Sequence, residues 1–286
     1  MKVTKRQLEK MIANGDDVRF VDTSGITDMS GLFKYNKEFN QDISGWDTSN
    51  VTNMEYMFWG AKVFNQPIGN WDVSKVKNMK GMFRGAELFN QDISHWNVSN
   101  VTNMSYMFDK AKAFNGNIGS WDTSNVTSME SMLSNTNSFN QDISGWDTSN
   151  VTNMSYMFDH AISFNQDISH WNVSNVINMS CMFSEAKVFN QDIGCWDTSN
   201  VEDMKYMFYH AESFNQDIGS WNINRNVEVD SMFVGAESFT HVYSFLKNYM
   251  SKQLNNNLIE IFGIYTNYDV KLDNIETYLK MTRITQ

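Results

Sequence analysis

The sequence predicts an α/β repeat solenoid, with short parallel strands on the concave side and short helical or 3₁₀ turns on the convex side. Tryptophan recurs at 46, 71, 96, 121, 146, 171, 196 and 221, always 25 residues apart. A fixed period of about 20–50 residues is the signature of a stacked array. The stretch FNQDISGWDTSNVTNM at 39–54 returns letter for letter at 139–154. Two different local patterns then share each copy. Val51, Met54, Met57, Phe58 and Ala61 fall at helical spacing, which predicts a turn of helix over about 53–61. Phe64, Asn65, Ile68 and Trp71 follow as the extended part, one short strand per copy.

The elements follow in chain order. Residues 1–20 form an N-terminal helical cap. Thr4 is a fitting N-cap for a helix over 5–13, Leu8 and Met11 share one face, and Asn14-Gly15 ends it. Nine 25-residue repeats occupy 21–240. The first is degenerate, with Val21 at the tryptophan position; the last keeps Met232 and Phe233 in register but has Val229 where methionine is expected. Atypical end copies suit a capped stack. Thr52-x-x-Glu55 and Thr127-x-x-Glu130 read as capping boxes for the repeat helices. Residues 241–286 abandon the repeat. Val242, Phe245, Leu246, Tyr249 and Met250 suggest an amphipathic helix, 258–262 a strand and 273–281 a closing helix, together an α+β cap. Parallel strands stack ~4.8 Å apart while packed helices need ~8–10 Å, so such an array splays into an arc with its strands inside.

Each repeat position becomes a column of the stack. The methionine columns (Met54, Met57, Met79, Met82 and their successors) and the tryptophan column are expected in the core. Each indole N–H there needs an acceptor. The asparagine column from Asn40 to Asn215 is expected to be a structural hydrogen-bond ladder. One acidic column holds Asp42, Asp92, Asp142, Asp167, Asp192 and Asp217; a second holds Asp22, Asp47, Asp72, Asp122, Asp147 and Asp197. Aligned carboxylates repel unless hydrogen-bonded or neutralised, and aspartates accepting turn N–H bonds are the plainest resolution.

Composition excludes several functions. A net charge of −11, from 33 acidic and 22 basic residues, argues against direct nucleic-acid binding through a basic face. Cys181 and Cys195 have no CxxC spacing. His95 and His170 share a column three repeats apart, roughly 15 Å at strand spacing, too far to share a metal. No nucleophile–base pair, phosphate loop or cofactor motif stands out, so an enzyme is not expected. No apolar run suits a signal peptide or a membrane span. On that basis the chain as written is expected in the cytoplasm.

The unit WDTSNVTNMxxMFxxAxxFNQDIS over about 21–240 closely resembles the BspA-type leucine-rich-repeat surface proteins, including mycoplasma lipoproteins built from the same unit. The lead-in KRQLEKMIANGDD is similar as well. The resemblance implies a leucine-rich-repeat-like solenoid used for adhesion or protein binding, and a cell-surface or secreted location as the alternative to the cytoplasm. The expected function is therefore a non-enzymatic, monomeric binding module for a protein or cell-surface macromolecule. The alternative is an acidic protein whose stacked carboxylates imitate a nucleic-acid backbone and occupy a basic partner. The candidate binding residues lie in the strand half, on the expected concave face: Asp92, His95, Asp142, Asp167, His170 and Asp192. The pairs Trp59-Gly60, Arg84-Gly85, Asp109-Lys110 and Tyr209-His210 are expected to drift on a solvated convex turn.

Overall fold

A computed structural model describes residues 1–224, 226–241, 244, 245 and 249. The helix expected at the N-terminus forms as α1, Lys5–Asn14. Thr4 closes a capping box with Gln7, and Gly15 ends the helix at φ 78°, the left-handed cap that glycine adopts without steric cost. Leu8 is fully buried against the first repeat. The cap also imitates a repeat: the carbonyl of Val18 accepts the Trp46 indole N–H at 2.9 Å, as Ile43 does for Trp71.

The repeats stack as a solenoid, but their backbone corrects the expected register. The segment over 53–61 is not helical. It is a run of overlapping β-turns, with N–H bonds from Met57 to Met54, Trp59 to Tyr56, Ala61 to Phe58 and Phe64 to Ala61. Tyr56 and Gly60, third in the first and third of these turns, have φ of 55° and 73°. A positive φ at that place belongs to a type II turn and cannot continue an α-helix. The capping boxes do not form either: the Glu55 N–H bonds to the Asn53 side chain, and the Thr52 hydroxyl bonds to the Thr27 carbonyl one repeat back.

This turn strip, not the expected strand, carries the parallel ladder. Successive bridges join Asp28, Asn53, Asn78, Asn103 and onward to Glu228. The N–H groups of Met29, Gly31, Phe33 and Tyr35 donate to the carbonyls of Asn53, Glu55, Met57 and Trp59. The extended part through Ile68 to Trp71 is closed by a turn of its own, Trp71 N–H to Ile68 carbonyl, and holds no bridge.

Ring spacing reveals the curvature. The distance between equivalent rings in successive repeats is the stacking step at that depth. A backbone ladder fixes it at ~4.8 Å. It is 5.3–5.7 Å along the column from Phe33 through Phe58 to Phe83, Phe108 and their successors. It reaches 6.1–6.5 Å between tryptophans such as Trp46–Trp71 and Trp196–Trp221. The turn strip is therefore the inside of the arc and the tryptophan side the outside. The methionine, phenylalanine and tryptophan columns fill the space between as one continuous core. Tryptophans from Trp71 onward donate N–H to the isoleucine carbonyl of the preceding repeat. The asparagine ladder also forms, in the open: each Oδ1 accepts the backbone N–H of the next asparagine, as Asn40 does from Asn65.

At the far end Phe245 packs edge-on against Phe233 at 5.1 Å. The strand expected at 258–262 and the helix expected at 273–281 lie outside the described residues. No described helix is long and apolar enough to cross a membrane.

Candidate functional site

Within the ladder strip, Met54, Met57, Phe58 and Ala61 point into the core. Glu55, Tyr56, Trp59 and Gly60 are left on the inner face, partly accessible. These outward columns are the ones whose residue types change along the chain.

One of them alternates. Its members are Gly31, Tyr56, Gly81, Tyr106, Ser131, Tyr156, Cys181, Tyr206 and Ser231, all with positive φ. The inner face has the shortest stacking step, and a tyrosine there spreads over its successor. A Cβ on Gly81 would stand 2.3 Å from the Tyr56 ring. At Tyr156 the interaction with the following Cys181 is the main cause of a pKa pushed up to about 12. Cys181 itself is raised, chiefly by burial. A large ring in every repeat would collide, so large and small residues take turns. The alternation is written in the sequence as a 50-residue period inside the 25-residue one.

The inner face also has two unlike halves. Towards the N-terminus, cations stand over aromatic rings. The Lys34 ammonium lies 4.3 Å from the Trp59 ring centre, 5.3 Å from Tyr35 and 5.5 Å from Tyr56. Arg84 lies over Trp59 at 5.1 Å and Tyr106 at 4.8 Å. Its Nε also pairs with the buried Asp109 at 2.9 Å; burial raises the Asp109 pKa in spite of that cation. Towards the C-terminus the face turns acidic, with Asp159, Glu185, Asp203, Glu228 and Asp230. Asp159 meets His160 at 2.9 Å, and Lys205 meets Glu228 at 2.5 Å.

The residues expected to bind lie elsewhere. Asp92, His95, Asp142, Asp167, His170 and Asp192 are all exposed, but they flank the tryptophan column on the outside of the arc, so their expected concave position is corrected. The reason is the register: the ladder runs through the turn strip, and the half taken for a strand is the splayed side. The Oδ1 of Asp92, Asp142, Asp167 and Asp192 accepts the N–H two residues on, each at 2.9 Å. Hydrogen bonds from Ser94, Ser144 and Ser169 hold the first three carboxylates below the usual aspartate pKa. His95 and His170 sit at turn tips within reach of the aspartate three residues before them, and three repeats from each other. They do not converge. Conversely, Trp59, Arg84 and Tyr209, expected on a drifting convex turn, line the inner face.

Comparison with protein families matches the description "Mycoplasma protein of unknown function, DUF285" at residues 4–117, 86–187, 142–249 and 168–272. The overlapping matches are themselves a mark of a repeat family. No curated protein matches. Among solved structures, "Crystal structure of TLR13-ssRNA13 complex" aligns with 83% of this chain at 8% identity and a TM-score of 0.25. The chain spans about half, 48%, of that relative's length.

Proposed function

The chain belongs to the DUF285 family of Mycoplasma repeat proteins, and on that premise we propose that it is a non-enzymatic binding solenoid, leucine-rich-repeat-like and of the BspA type, that takes a protein or cell-surface macromolecule on its inner face. The observation that carries this reading is the polarity of that face. Packing requires its large and small residues to alternate, but packing does not require Lys34, Lys80, Arg84 and Lys110 to stand in the N-terminal half, among Asp28, Glu55 and Asp109, while Lys205 alone stands among Glu130, Asp159, Glu185, Asp203, Glu228 and Asp230 in the other half. A concave face of varied side chains on a uniform scaffold is what solenoids offer to partners. A monomer suits the proposal, as does the cell surface, where adhesion would need it.

A second reading retains some support: the outer aspartate columns are exposed and hold their charge, as imitation of a nucleic-acid backbone would need. Pro67 and Asn117 interrupt one of these columns, and each bonded Oδ1 is already engaged by its own turn. Immobilised protein compared with two double variants separates the readings. Trp59→Ser with Tyr209→Ser should abolish retention of the bound macromolecule, while Asp142→Lys with Asp167→Lys should spare it, with folding checked by circular dichroism. The opposite ranking moves the site to the outer columns. Loss of all retention in the unaltered chain ends both readings.

A further inference from the structure

The inner-face reading can be taken to the chemistry of a partner, and the inference here rests on that reading. In a chain of net charge −11, several cations on or beside the face have a carboxylate. Lys5, Lys62, Lys112, Lys187 and Lys205 are ion-paired at 2.5–3.1 Å. Lys34, Lys80 and Lys110 are not: among the described residues none of these ammonium groups has a carboxylate within 4.0 Å. Lys34 and Lys80 stand over rings instead. Lys34 is held among Trp59, Tyr35 and Tyr56, and Lys80 lies 5.9 Å from Tyr56 and 6.0 Å from Tyr106.

A ring attracts a cation without neutralising it. The ammonium groups are therefore partly positioned yet still lack a counter-charge. Positioned donors lose little side-chain freedom when an anion arrives. Sharing the Tyr56 ring puts the two groups less than about 12 Å apart, the span of three to four residues of extended chain. The partly accessible Trp59 ring lies beside them, under Lys34 and Arg84. A long polyanion is disfavoured, because its continuation would run over Asp159, Glu185 and Asp230 in the other half of the face.

We propose that the N-terminal half of the inner face is an anion-recognition site for a short acidic peptide segment of a partner protein, with carboxylates taken by Lys34 and Lys80 beside the Trp59 ring. The probe is a blocked, fluorescently labelled octapeptide of alternating glutamate and tyrosine, titrated into the full chain in 0.1 M salt and read by anisotropy. Binding is expected, with Trp59 emission changing, since the eight ruler tryptophans are at most 4% exposed. Lys34→Glu with Lys80→Glu should weaken it about tenfold or more, the scale of one charge-assisted contact. Lys187→Glu, on a column flanking the other half, should leave it within about twofold. Lys34→Gln with Lys80→Gln removes charge without adding any and should give an intermediate loss.

Equal binding of an alternating lysine–tyrosine octapeptide would overturn the proposal. So would an unchanged affinity in the reversed variant. Tighter binding of a heparin hexasaccharide or an eight-nucleotide oligothymidylate would reassign the site to a different anion. If the glutamate–tyrosine peptide does not bind while Trp59→Ser with Tyr209→Ser still abolishes capture of a macromolecule, this inference falls and the broader inner-face reading stands. If neither holds, both fall.

Discussion

Gly31 and Gly81 occupy the same column with nearly the same backbone, φ 67° and 59°, and differ in what precedes them. Around Gly31 a Cβ would meet nothing within 4 Å; at Gly81 it would come within 2.3 Å of the Tyr56 ring. Substitution by alanine therefore separates two costs. The left-handed conformation costs any side chain about 1–2 kcal/mol, and Gly31→Ala should lose only that. At Gly81 the Tyr56 ring must also move. It stands 4.9 Å from Trp59, 5.5 Å from Lys34 and 5.9 Å from Lys80. Losing an aromatic pair and its cation contacts is worth about 1–2 kcal/mol more, so Gly81→Ala should cost about 2–4 kcal/mol in all. With Tyr56→Ser in the background, the cost of Gly81→Ala should return to about 1–2 kcal/mol, a coupling typical of residues in contact. Urea unfolding of the four variants, compared at constant m, gives the values. Equal costs at Gly31 and Gly81, or a Gly81 cost that Tyr56→Ser leaves unchanged, would refute the crowding account of the inner face.

Three further outcomes follow from the same geometry. Trp146 is buried and donates to the Ile118 carbonyl at 2.9 Å; Trp146→Ala should cost about 3–5 kcal/mol and divide the melt, because nearest-neighbour coupling is cut in mid-stack, whereas one unshifted transition would contradict the stacked core. Among the described residues the buried Thr198 hydroxyl has no hydrogen-bond partner, while Thr148 Oγ1 donates to the Asn172 carbonyl at 2.9 Å. Valine already serves this column at Val73, Val98 and Val173, so Thr198→Val should gain about 1 kcal/mol and Thr148→Val lose about 1 kcal/mol, measured as shifts in the urea midpoint. The outer aspartates Asp42, Asp92, Asp142 and Asp167 have folded pKa values below the ordinary one. Their contribution is thus present above the unfolded value of about 3.9 and lost as pH falls through the lower folded values. Asp142→Asn with Asp167→Asn should flatten the loss of stability as the pH falls below about 4 in acid titrations followed by circular dichroism.

The period, the N-terminal helix and the core columns are legible, because each rests on a repeated apolar or capping residue. The direction of the ladder is not. Buried residues at 54, 57, 58 and 61 satisfy a helix, and they equally satisfy a chain of turns that returns to the core every third or fourth residue. The deciding signal lay in the columns between. Gly31, Gly60, Gly81, Gly85 and Gly235 stand at two positions four residues apart in the repeat, and glycine twice within one turn of a supposed helix is costly. Reading those glycines as left-handed turn positions puts the variable residues on the ladder. The candidate site is hidden for the same reason: Asp92 and His95 belong with the supposed strand, and where that segment lies on the outside of the arc they lie there too.

Curvature then explains which columns stay uniform. On the outside the step is above 6 Å at the tryptophans, wide enough for like carboxylates to follow one another when each accepts a hydrogen bond from its own turn. Inside, at ~4.8 Å, a column of identical rings or identical charges would be crowded, so residue types must change. Crowding dictates that Tyr56 be followed by Gly81, and Tyr156 by Cys181. Crowding is indifferent to sign, but the rings are not: over Tyr56 and Trp59 the Lys34 and Lys80 ammonium groups gain an attraction that a carboxylate would lack. The excess of carboxylates in the C-terminal half of the inner face is the part with no source in the packing of the stack, and it is this polarity that binding experiments on the two halves would read.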